Sequence, residues 1–460
     1  MASFLSHAAA VNLGHAYGGL VTDAAIGKLQ ELISIPTVSH PDPSQRDHAP
    51  FIEFIEAFER NFPRLTATLE RVGLPEYALL YRWAGRSSER PVVLMAHIDV
   101  VPIDETAPWQ HPPFGAEVHD GAIWGRGTLD DKGQLVAISE AVEQLLQAGF
   151  VPEQDIWLSF GSTEEVSGET AALAVEALRD RGVKPWFVMD EGGAIAAEAF
   201  PGIVAPLGVL GVTEKGITSL ELVVEGRGGH ASTPSKMDAT ARLARAILRL
   251  DKSPFPSRLP APTAELFRRL APHAPAPLRP VMANAQRIEP VLARALTLAG
   301  PEAAAMTRTT AAVTTLSGSP AINVIASSAR AGVNLRIMVG DTVEQVIARV
   351  RKIVNDDKVR IDVLDASEPS PVSPYDDAAF ALIESTIANS FPDAIPTPYV
   401  MMAATDSRFY TEICDRVYRF APFRMSKSQR EAIHSYDEHL GIPDFLDGIA
   451  FYRSLMEGIA

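Results

Sequence analysis

The sequence predicts an α/β fold with a mostly parallel sheet and helices on both faces, interrupted by an inserted α+β domain of ferredoxin-like order. Apolar, strand-like runs alternate with helical stretches in the first and last parts of the chain, which indicates a parallel sheet covered on both faces. The middle of the chain instead follows the order βαββαβ. We therefore predict one domain from residues 1–212 and 370–460, and an inserted domain at 213–369 that carries a Pro-rich insertion at 253–306.

In the first domain, residues 92–96 form the clearest strand, because the run is apolar throughout and is therefore typical of a buried parallel strand. Periodicity and turn residues assign the other elements in the same way. The remaining predicted strands are 77–83, 122–124, 155–160 and 186–189, with strand-like pieces near 398 and 416, and the predicted helices are 22–32, 49–60, 133–148, 168–181 and 376–390.

In the inserted domain, residues 218–225 alternate between apolar and polar side chains, as a half-buried antiparallel strand does. The insertion is expected to contain short helices. The other predicted elements of this domain are strands 308–316, 329–338 and 359–364 and helices 236–250 and 342–354.

Length and composition limit the classes of protein to which the chain can belong. Its 460 residues are too many for one compact core, and its net charge of −16 argues against nucleic acid as a partner. No run reaches the about 18 apolar residues of a membrane span, and residues 1–8 make a poor signal peptide. We therefore expect a cytoplasmic protein with no membrane partner. The only cysteine, Cys414, excludes an intramolecular disulfide and a cysteine-rich zinc site, and we interpret it as a core thiol.

A histidine and an aspartate follow the buried strand at 92–96. Residues i and i+2 of an extended segment point the same way, so Asp99 can reach the ring of His97 and leave its other nitrogen free for a metal ion. The same pair also fits an ordinary core histidine that is hydrogen-bonded to a nearby aspartate.

Three further strand or turn ends carry two adjacent acids. Each pair taken alone is ambiguous, because charged loop ends are usually solvated and Asp131 could simply cap a helix. Together the four ends would assemble oxygen and nitrogen ligands without a thiolate, which suits two zinc ions, or cobalt or manganese, about 3.5–4 Å apart. The acidic pairs are Asp130 and Asp131, Glu164 and Glu165, and Asp190 and Glu191.

These residues lie in motifs that resemble one family. The chain is similar to the dinuclear zinc amidohydrolases and peptidases that include aminoacylase, acetylornithine deacetylase, succinyl-diaminopimelate desuccinylase, glutamate carboxypeptidase and carnosine dipeptidases. It looks most like the branch of the Gly-X carboxypeptidase and the N-fatty-acyl-amino-acid hydrolases. The motifs are MAHIDVVP at 95–102, GRGTLDDKG at 125–133, STEEVSG at 162–168, DEGG at 190–193, GRGGHAS at 226–232, TTAAVTT at 309–315, NVI at 323–325 and IHSYDE at 433–438.

The resemblance implies a ligand for each metal position. One ion would be held by His97, Asp130 and Glu191, and the other by Asp130, Glu165 and His434, with Asp130 bridging the two. The third acidic pair leaves a choice between Asp190 and Glu191, and we favour Glu191 because relatives usually place the ligand directly before Gly or Pro. The bond between Asp130 and Asp131 is expected to be cis. A purely structural role for His434 is the alternative.

The resemblance also implies catalytic and substrate-binding residues. Glu164 would be the general base that activates a metal-bridging water, and Asp99 would orient His97. His230 would reach a partner's active site in a homodimer formed through the inserted lid domain. Asn323 would bind the substrate carbonyl, and Arg336 would bind a free carboxylate, to which a guanidinium is suited. His230 in a turn and Arg336 on a strand also have ordinary structural interpretations.

The resulting hypothesis is metal-dependent hydrolysis of an amide bond next to a free carboxylate. The substrate would be a small molecule or short peptide, either an N-acyl amino acid or a C-terminal peptide bond. A dipeptidase, a two-metal phosphoesterase and a non-catalytic metal-dependent binding protein are the alternatives.

Overall fold

The computed structural model of the protein describes residues 23–200 and 202–460, and the signal-peptide prediction for residues 1–8 falls outside this range. The chain divides into two compact units. The first unit contains the described chain up to Leu210 together with Ser373–Thr397 and Thr405–Ala460, and the second contains Gly211–Val372 with Pro398–Ala404.

The described helices and strands follow the predicted order closely. The strands are β1 (Glu70–Gly73), β2 (Leu79–Trp83), β3 (Ser87–His97), β4 (Glu117–His119), β5 (Ala122–Trp124), β6 (Gln154–Gly161), β7 (Phe187–Asp190), β8 (Ala194–Ala196), β9 (Leu207–Glu214), β10 (Gly216–Glu225), β11 (Gly229–His230), β12 (Thr310–Ser317), β13 (Val324–Ile325), β14 (Ser328–Ile337), β15 (Arg360–Ala366), β16 (Ile395–Met401), β17 (Val417–Arg419), β18 (Arg424–Met425) and β19 (His439–Gly441).

The helices include one at 23–34 near the start of the described chain. They are α1 (23–34), α2 (Ala49–Asn61), α3 (Pro63–Thr68), α4 (Lys132–Gln147), α5 (Glu169–Asp180), α6 (Ala239–Asp251), α7 (Ala261–Leu270), α8 (Arg279–Ala283), α9 (Glu289–Ala299), α10 (Pro301–Ala305), α11 (Val343–Val354), α12 (Ala378–Ser390), α13 (Ser407–Tyr410), α14 (Lys427–Ala432) and α15 (Ile442–Glu457), and short 3₁₀ helices lie at Pro43–Gln45 and Ala271–His273.

The main sheet has ten strands in the order β1-β2-β6-β3-β7-β17-β9-β8-β18, with β16 also paired to β9. Its centre is parallel, because β3 pairs in parallel with β6 and β7, and β7 pairs in parallel with β17. The strands β3, β6 and β7 therefore end at the same edge of the sheet. Their last residues are His97, Gly161 and Asp190, directly before or within the predicted site motifs. The predicted α/β class is confirmed.

One of the site motifs does not follow a strand of the main sheet. The strand β5, which precedes the GRGTLDDKG motif, belongs to a separate three-stranded sheet with the order β19-β5-β4. The main sheet therefore does not carry Asp130 directly. The loop after β5 and the start of α4 bring that residue to the site instead.

The inserted segment forms the expected ferredoxin-like sheet. Its four strands lie in the order β12-β14-β10-β15, and every neighbouring pair is antiparallel. Apolar residues of β10, β14, α6 and α11 form one buried core, which includes Leu220, Leu335, Leu243 and Val350. Helices α7 to α10 occupy most of the Pro-rich insertion, as the sequence predicts.

Two predicted elements begin later than expected because the backbone turns. Glu76 and Tyr77 have positive φ angles of 57° and 69°, so β2 starts at Leu79. Met237 has a φ of 57°, and the side chain of Asp238 accepts a hydrogen bond from the Ala241 amide, which starts α6 at Ala239. The C-terminal helix α15, which packs on α4, and strands β8 and β9 were not predicted.

The single cysteine and the helix lengths agree with the sequence predictions. Cys414 is buried, and its thiol donates to the carbonyl oxygen of Pro185 at 3.3 Å, so the core-thiol interpretation is confirmed. Across residues 23–200 and 202–460, no helix combines the length and the apolar character that crossing a bilayer requires.

Candidate metal centre

Side chains from four separate stretches of the first unit meet beyond the ends of β3, β6 and β7. Donor atoms of His97, Asp130 and Glu165 all lie within 4.8 Å of one another. His434 joins them from the loop after α14 and approaches both carboxylates. The structure therefore brings together ligand types from motifs that are up to 337 residues apart in sequence.

Asp130 lies at the centre of this group and presents each carboxylate oxygen to a different imidazole. Its Oδ1 is 2.8 Å from Nε2 of His97, and its Oδ2 is 2.9 Å from Nε2 of His434. Burial by itself would raise the pKa of Asp130, but hydrogen bonds from His434 and His97 outweigh it and lower that pKa. The peptide bond between Asp130 and Asp131 is cis, as expected. A carboxylate that faces two rings in this way has the form required of a bridging ligand.

Asp99 connects His97 to the Glu164–Glu165 turn. The His97 Nδ1 atom contacts the backbone oxygen of Asp99 at 2.9 Å, whereas the Asp99 carboxylate is 3.6 Å from that nitrogen. The carboxylate instead accepts hydrogen bonds from the amides of Glu164 and Glu165, at 3.1 and 3.2 Å. Asp99 thus holds the ring of His97 through its backbone oxygen, with its carboxylate close by, and the same carboxylate fixes the neighbouring turn.

Glu164 and Glu165 differ in the contacts that they make. Glu165 places Oε2 at 3.0 Å from Nε2 of His434, while its buried Oε1 has no hydrogen-bond partner among the described residues. Burial raises the pKa of Glu165, and it raises the pKa of Glu164 well above its usual value, with Asp406 and Glu165 adding repulsion. Glu165 has the contacts of a ligand, and Glu164 has the environment of a carboxylate that can accept a proton.

The two residues of the third acidic pair, Asp190 and Glu191, lie in different environments. Asp190 is buried, and its Oδ2 accepts a hydrogen bond from the Ser407 amide at 2.9 Å. Burial raises the pKa of Glu191 well above its usual value, and repulsion from Asp130 and Glu164 adds to this effect. One carboxylate oxygen of Asp190 is therefore already engaged by main chain, whereas the repulsion that acts on Glu191 includes that of Asp130, so Glu191 stays the preferred ligand.

Asp131 does not cap α4 with its side chain. Its Oδ2 accepts a hydrogen bond from the His97 amide at 3.2 Å, and its Oδ1 has no partner among the described residues. The helix-capping alternative is therefore not what the structure shows.

The sequence reasoning missed a buried pair that holds the central loop. Glu438 lies in the quoted IHSYDE motif but received no role. Its Oε1 accepts hydrogen bonds from the amides of Gly127, Leu129 and Asp130, and its Oε2 accepts from Arg126 at 2.6 Å. The position of Glu438, four residues after His434 at the end of the motif, could have marked it as a functional residue. Its partner Arg126, however, lies more than 300 residues away in sequence.

The three predicted substrate-binding residues all lie in the second unit. His230 pairs with Val324 across the short β11–β13 ladder, and the carbonyl of Asn323 accepts a hydrogen bond from the Ala231 amide at 3.1 Å, so His230 and Asn323 are neighbours. Arg336 lies on β14, opposite Ile217. Its guanidinium makes no hydrogen bond or ion pair with another described residue, and burial lowers its pKa.

The residues of the centre fit two divalent metal ions. The donors are imidazole nitrogens and carboxylate oxygens only, a set that suits zinc, cobalt or manganese. Five further carboxyl groups near Asp130 have pKa values raised mainly by desolvation. Repulsion between neighbouring acids adds to this effect for all of them except Asp190, and nearby cations would offset that repulsion. The five groups are Asp131, Glu164, Glu165, Asp190 and Glu191.

Comparison with known families agrees with this geometry. The sequence model described as "Peptidase family M20/M25/M40" matches residues 93–458, which includes every residue of the centre. The chain belongs to peptidase family M20. As an M20 member it is an enzyme of the metallopeptidase and amidohydrolase type, from a family that depends on a dinuclear metal site.

Curated relatives of this M20 protein include carboxypeptidases and acyl-amino-acid enzymes. It is 35% identical over 437 residues to the "Probable carboxypeptidase S-like 2" of Dictyostelium discoideum, covering 94% of this chain and 84% of that protein. It is also 35% identical over 436 residues to the human "N-fatty-acyl-amino acid synthase/hydrolase PM20D1", covering 93% and 86%.

Among solved structures, the M20 metallo-carboxypeptidase Sso-CP2 from Sulfolobus solfataricus aligns with a TM-score of 0.68 at 16% identity. The alignment covers 94% of this chain and 98% of that one. At this identity the likeness supports the fold.

Proposed function

We propose that this M20 enzyme hydrolyses the amide bond between an acyl group and an amino acid whose carboxylate is free. The observation that carries the proposal is the Asp130 carboxylate, whose two oxygens lie at 2.8 and 2.9 Å from the imidazoles of His97 and His434. Glu164 is half-buried, and desolvation raises its pKa, so it would provide a base. Amide hydrolysis needs both an electrophilic centre and a base in one place.

His97, Asp130 and Glu191 would hold one ion, and Asp130, Glu165 and His434 the other. When bound, two such ions polarise a carbonyl oxygen and acidify water, and zinc is the metal that we propose. Glu164 would take the proton from the attacking water and deliver it to the leaving amine. The raised pKa of Glu164 suits both steps, because a carboxylate of ordinary pKa binds a proton too weakly to return it.

We place substrate recognition on the second unit. Arg336 is half-buried and has no protein partner among the described residues, so it is available for a carboxylate through paired hydrogen bonds. Asn323 and His230, which are neighbours, would stabilise the oxygen of the scissile carbonyl. In this proposal a homodimer formed through the lid domain supplies His230 to the site of the other subunit.

The names of the relatives support this substrate class. A carboxypeptidase and an N-fatty-acyl-amino-acid hydrolase both act next to a free carboxylate, although their acyl sides differ. We therefore propose N-acyl amino acids as substrates, with C-terminal peptide bonds and dipeptides as the comparison in the same test.

The experiment is a substrate panel with the zinc-loaded protein. N-acetyl, N-long-acyl and dipeptide substrates are each offered with a free and with an amidated carboxyl end. We expect cleavage of the free-carboxyl members and a large loss of kcat/KM on amidation. Equal cleavage of the amidated members would contradict the role of Arg336. No cleavage with both metal positions filled would contradict the proposed activity and favour a binding protein.

A further inference from the structure

A second group of metal-ligand side chains lies in the first unit, apart from the residues of the centre. It consists of His111, in the loop before β4, and of Glu117 and His119, the first and last residues of β4. Their donor atoms all lie within 4.8 Å of one another. The M20 centre uses none of these three residues, so the group needs an explanation of its own.

The two histidines approach one carboxylate oxygen. Nδ1 of His111 is 3.2 Å from Oε2 of Glu117, and Nε2 of His119 is 3.0 Å from the same atom. The two imidazole rings stack with their centroids 4.0 Å apart and their planes 19° from parallel. Two nitrogens and one oxygen therefore converge on a single point of the surface.

The neighbouring aromatic residues hold this arrangement. The ring of His111 also packs against Trp124, with 4.8 Å between the centroids, and Trp124 stacks on His439 at 4.2 Å. The indole nitrogen of Trp124 donates to the carbonyl oxygen of His119 at 3.2 Å, which joins the two strands of the hairpin. Because the rings are braced from behind, few side-chain rotations remain to be lost when an ion binds.

We propose that His111, Glu117 and His119 bind a third divalent transition-metal ion. Two imidazoles and a carboxylate are a ligand set that zinc accepts with water in its fourth position, and cobalt and nickel share this preference. Bonds of about 2.0–2.2 Å in tetrahedral geometry place the ligand atoms about 3.3–3.6 Å apart, so Oε2 of Glu117 must move slightly away from the two nitrogens, now 3.2 and 3.0 Å from it, to admit an ion. Small side-chain rotations achieve this, because the side chains of Glu117 and His119 are 44% and 47% exposed.

The exposure of this triad also predicts how the ion behaves. Solvent reaches the ion directly, and only three protein donors hold it, so it should exchange with buffer and bind more weakly than the ions of the buried centre. A hydrogen-bonded surface triad that binds no ion is the competing explanation, and it predicts no difference in metal content when either histidine is removed.

Metal counting tests the proposal directly. The 460-residue protein and its His111→Ala and His119→Ala variants are dialysed to equilibrium against micromolar zinc, and bound zinc per chain is measured by plasma mass spectrometry. We expect three ions for the unmodified protein and one fewer for each variant. His273→Ala, which removes an exposed histidine of the insertion, is the matched control and should leave the count unchanged. Equal counts in all four proteins would overturn the proposal.

A spectroscopic readout tests the location of the ion. Cobalt or nickel at the triad would lie beside Trp124 and quench its fluorescence. A saturable loss of emission should therefore accompany titration of zinc-loaded protein that has first been dialysed into zinc-free buffer to empty the exchangeable triad. Glu117→Gln keeps the shape of the side chain and should raise the ion concentration needed for half-maximal quenching at least tenfold. Trp124→Phe should remove the quenching. Quenching that is identical in the unmodified protein and the Glu117→Gln variant would place the ion elsewhere and overturn the proposal.

Discussion

Arg126 and Glu438 form a fully buried ion pair, with 2.6 Å between a guanidinium nitrogen and a carboxylate oxygen. The other oxygen of Glu438 accepts three backbone amides, the last of which belongs to Asp130. The pair therefore fixes the loop that presents the central carboxylate. It lies behind the centre and acts by positioning Asp130.

Replacing Glu438 by Ala should destabilise the fold and reduce metal binding. Removing one partner of a buried ion pair costs about 3–5 kcal/mol because the other charge is left uncompensated. Urea unfolding and the zinc content after dialysis measure the two effects. Glu457→Ala breaks an exposed pair with Arg453 and should cost less than about 1 kcal/mol. A Glu438→Ala variant as stable as this control, with both ions retained, would remove the positioning role.

Glu164→Gln should lower kcat by about 10²–10⁴-fold, the range for loss of a general base, while zinc content stays near that of the unmodified protein. The amide keeps the shape of the side chain but cannot take the proton from water. Steady-state kinetics and metal analysis on the same sample separate the two effects. The exposed Glu169→Gln serves as the control. Near-normal turnover in Glu164→Gln would show that another group is the base.

The choice between Asp190 and Glu191 can be made with two isosteric variants. Glu191→Gln should lose one zinc ion per chain in competition with a chelator. Asp190→Asn should retain both ions, because an amide oxygen can still accept the hydrogen bond from the Ser407 amide. Chelator titrations of the two variants measure the difference. The opposite order of zinc loss would assign the ligand to Asp190.

Arg336→Ala should raise KM for substrates with a free carboxylate and leave amidated substrates nearly unaffected. Hydrogen bonds to a charged group contribute about 1.5–3 kcal/mol, which corresponds to a loss of about 10–100-fold in kcat/KM. Arg330 lies on the same strand but is paired with Glu221, so Arg330→Ala is the matched control. An equal loss for free and amidated substrates would argue against a carboxylate clamp.

Asp406 predicts a pH dependence of stability in the metal-free protein. Both of its buried oxygens lack a hydrogen-bond partner among the described residues, and burial together with Asp190 raises the pKa of Asp406 from 3.8 to about 7. Between these values the folded state binds a proton that the unfolded state does not. The stabilisation is therefore complete below pH 3.8 and is lost as the pH rises through 7.

The contribution of Asp406 to the free energy of unfolding is at most about 4 kcal/mol, because each unit of pKa shift corresponds to about 1.4 kcal/mol. Asp406→Asn should flatten the fall in unfolding free energy between pH 4 and pH 7, as measured by urea unfolding in a chelator. The exposed Asp180→Asn should leave the slope as it is. An unchanged slope in Asp406→Asn would show that other carboxyl groups carry the dependence.

Much of the site could be predicted from sequence because its parts are local. An apolar run that ends in His97, and acidic pairs that follow Gly161 and Val188-Met189, identify strand ends without knowledge of their partners. The order of the parallel strands then brings those ends to one edge of the sheet. The ferredoxin-like order of the inserted unit was predictable for the same reason, since each strand shows its own periodicity.

Other features depended on contacts between distant parts of the chain. Nothing near Glu438 in sequence indicates that it accepts the amides of Gly127 and Leu129, and nothing near Asp99 indicates that its carboxylate turns from the His97 ring to the amides of the next loop. The meeting of His111 with His119 likewise requires the β4–β5 hairpin to fold back on the preceding loop.

The sequence by itself determined which chemical groups this protein has and at which strand ends they lie, because local hydrophobic pattern sets the strands and the motifs follow them. Only the tertiary structure decided which contacts each acid makes. Of the adjacent residues Asp190 and Glu191, the first accepts a hydrogen bond from the Ser407 amide, while desolvation and repulsion from Asp130 and Glu164 raise the pKa of the second. These contacts depend on groups that the fold brings in from distant parts of the chain, and the spacing of residues along the sequence does not encode them.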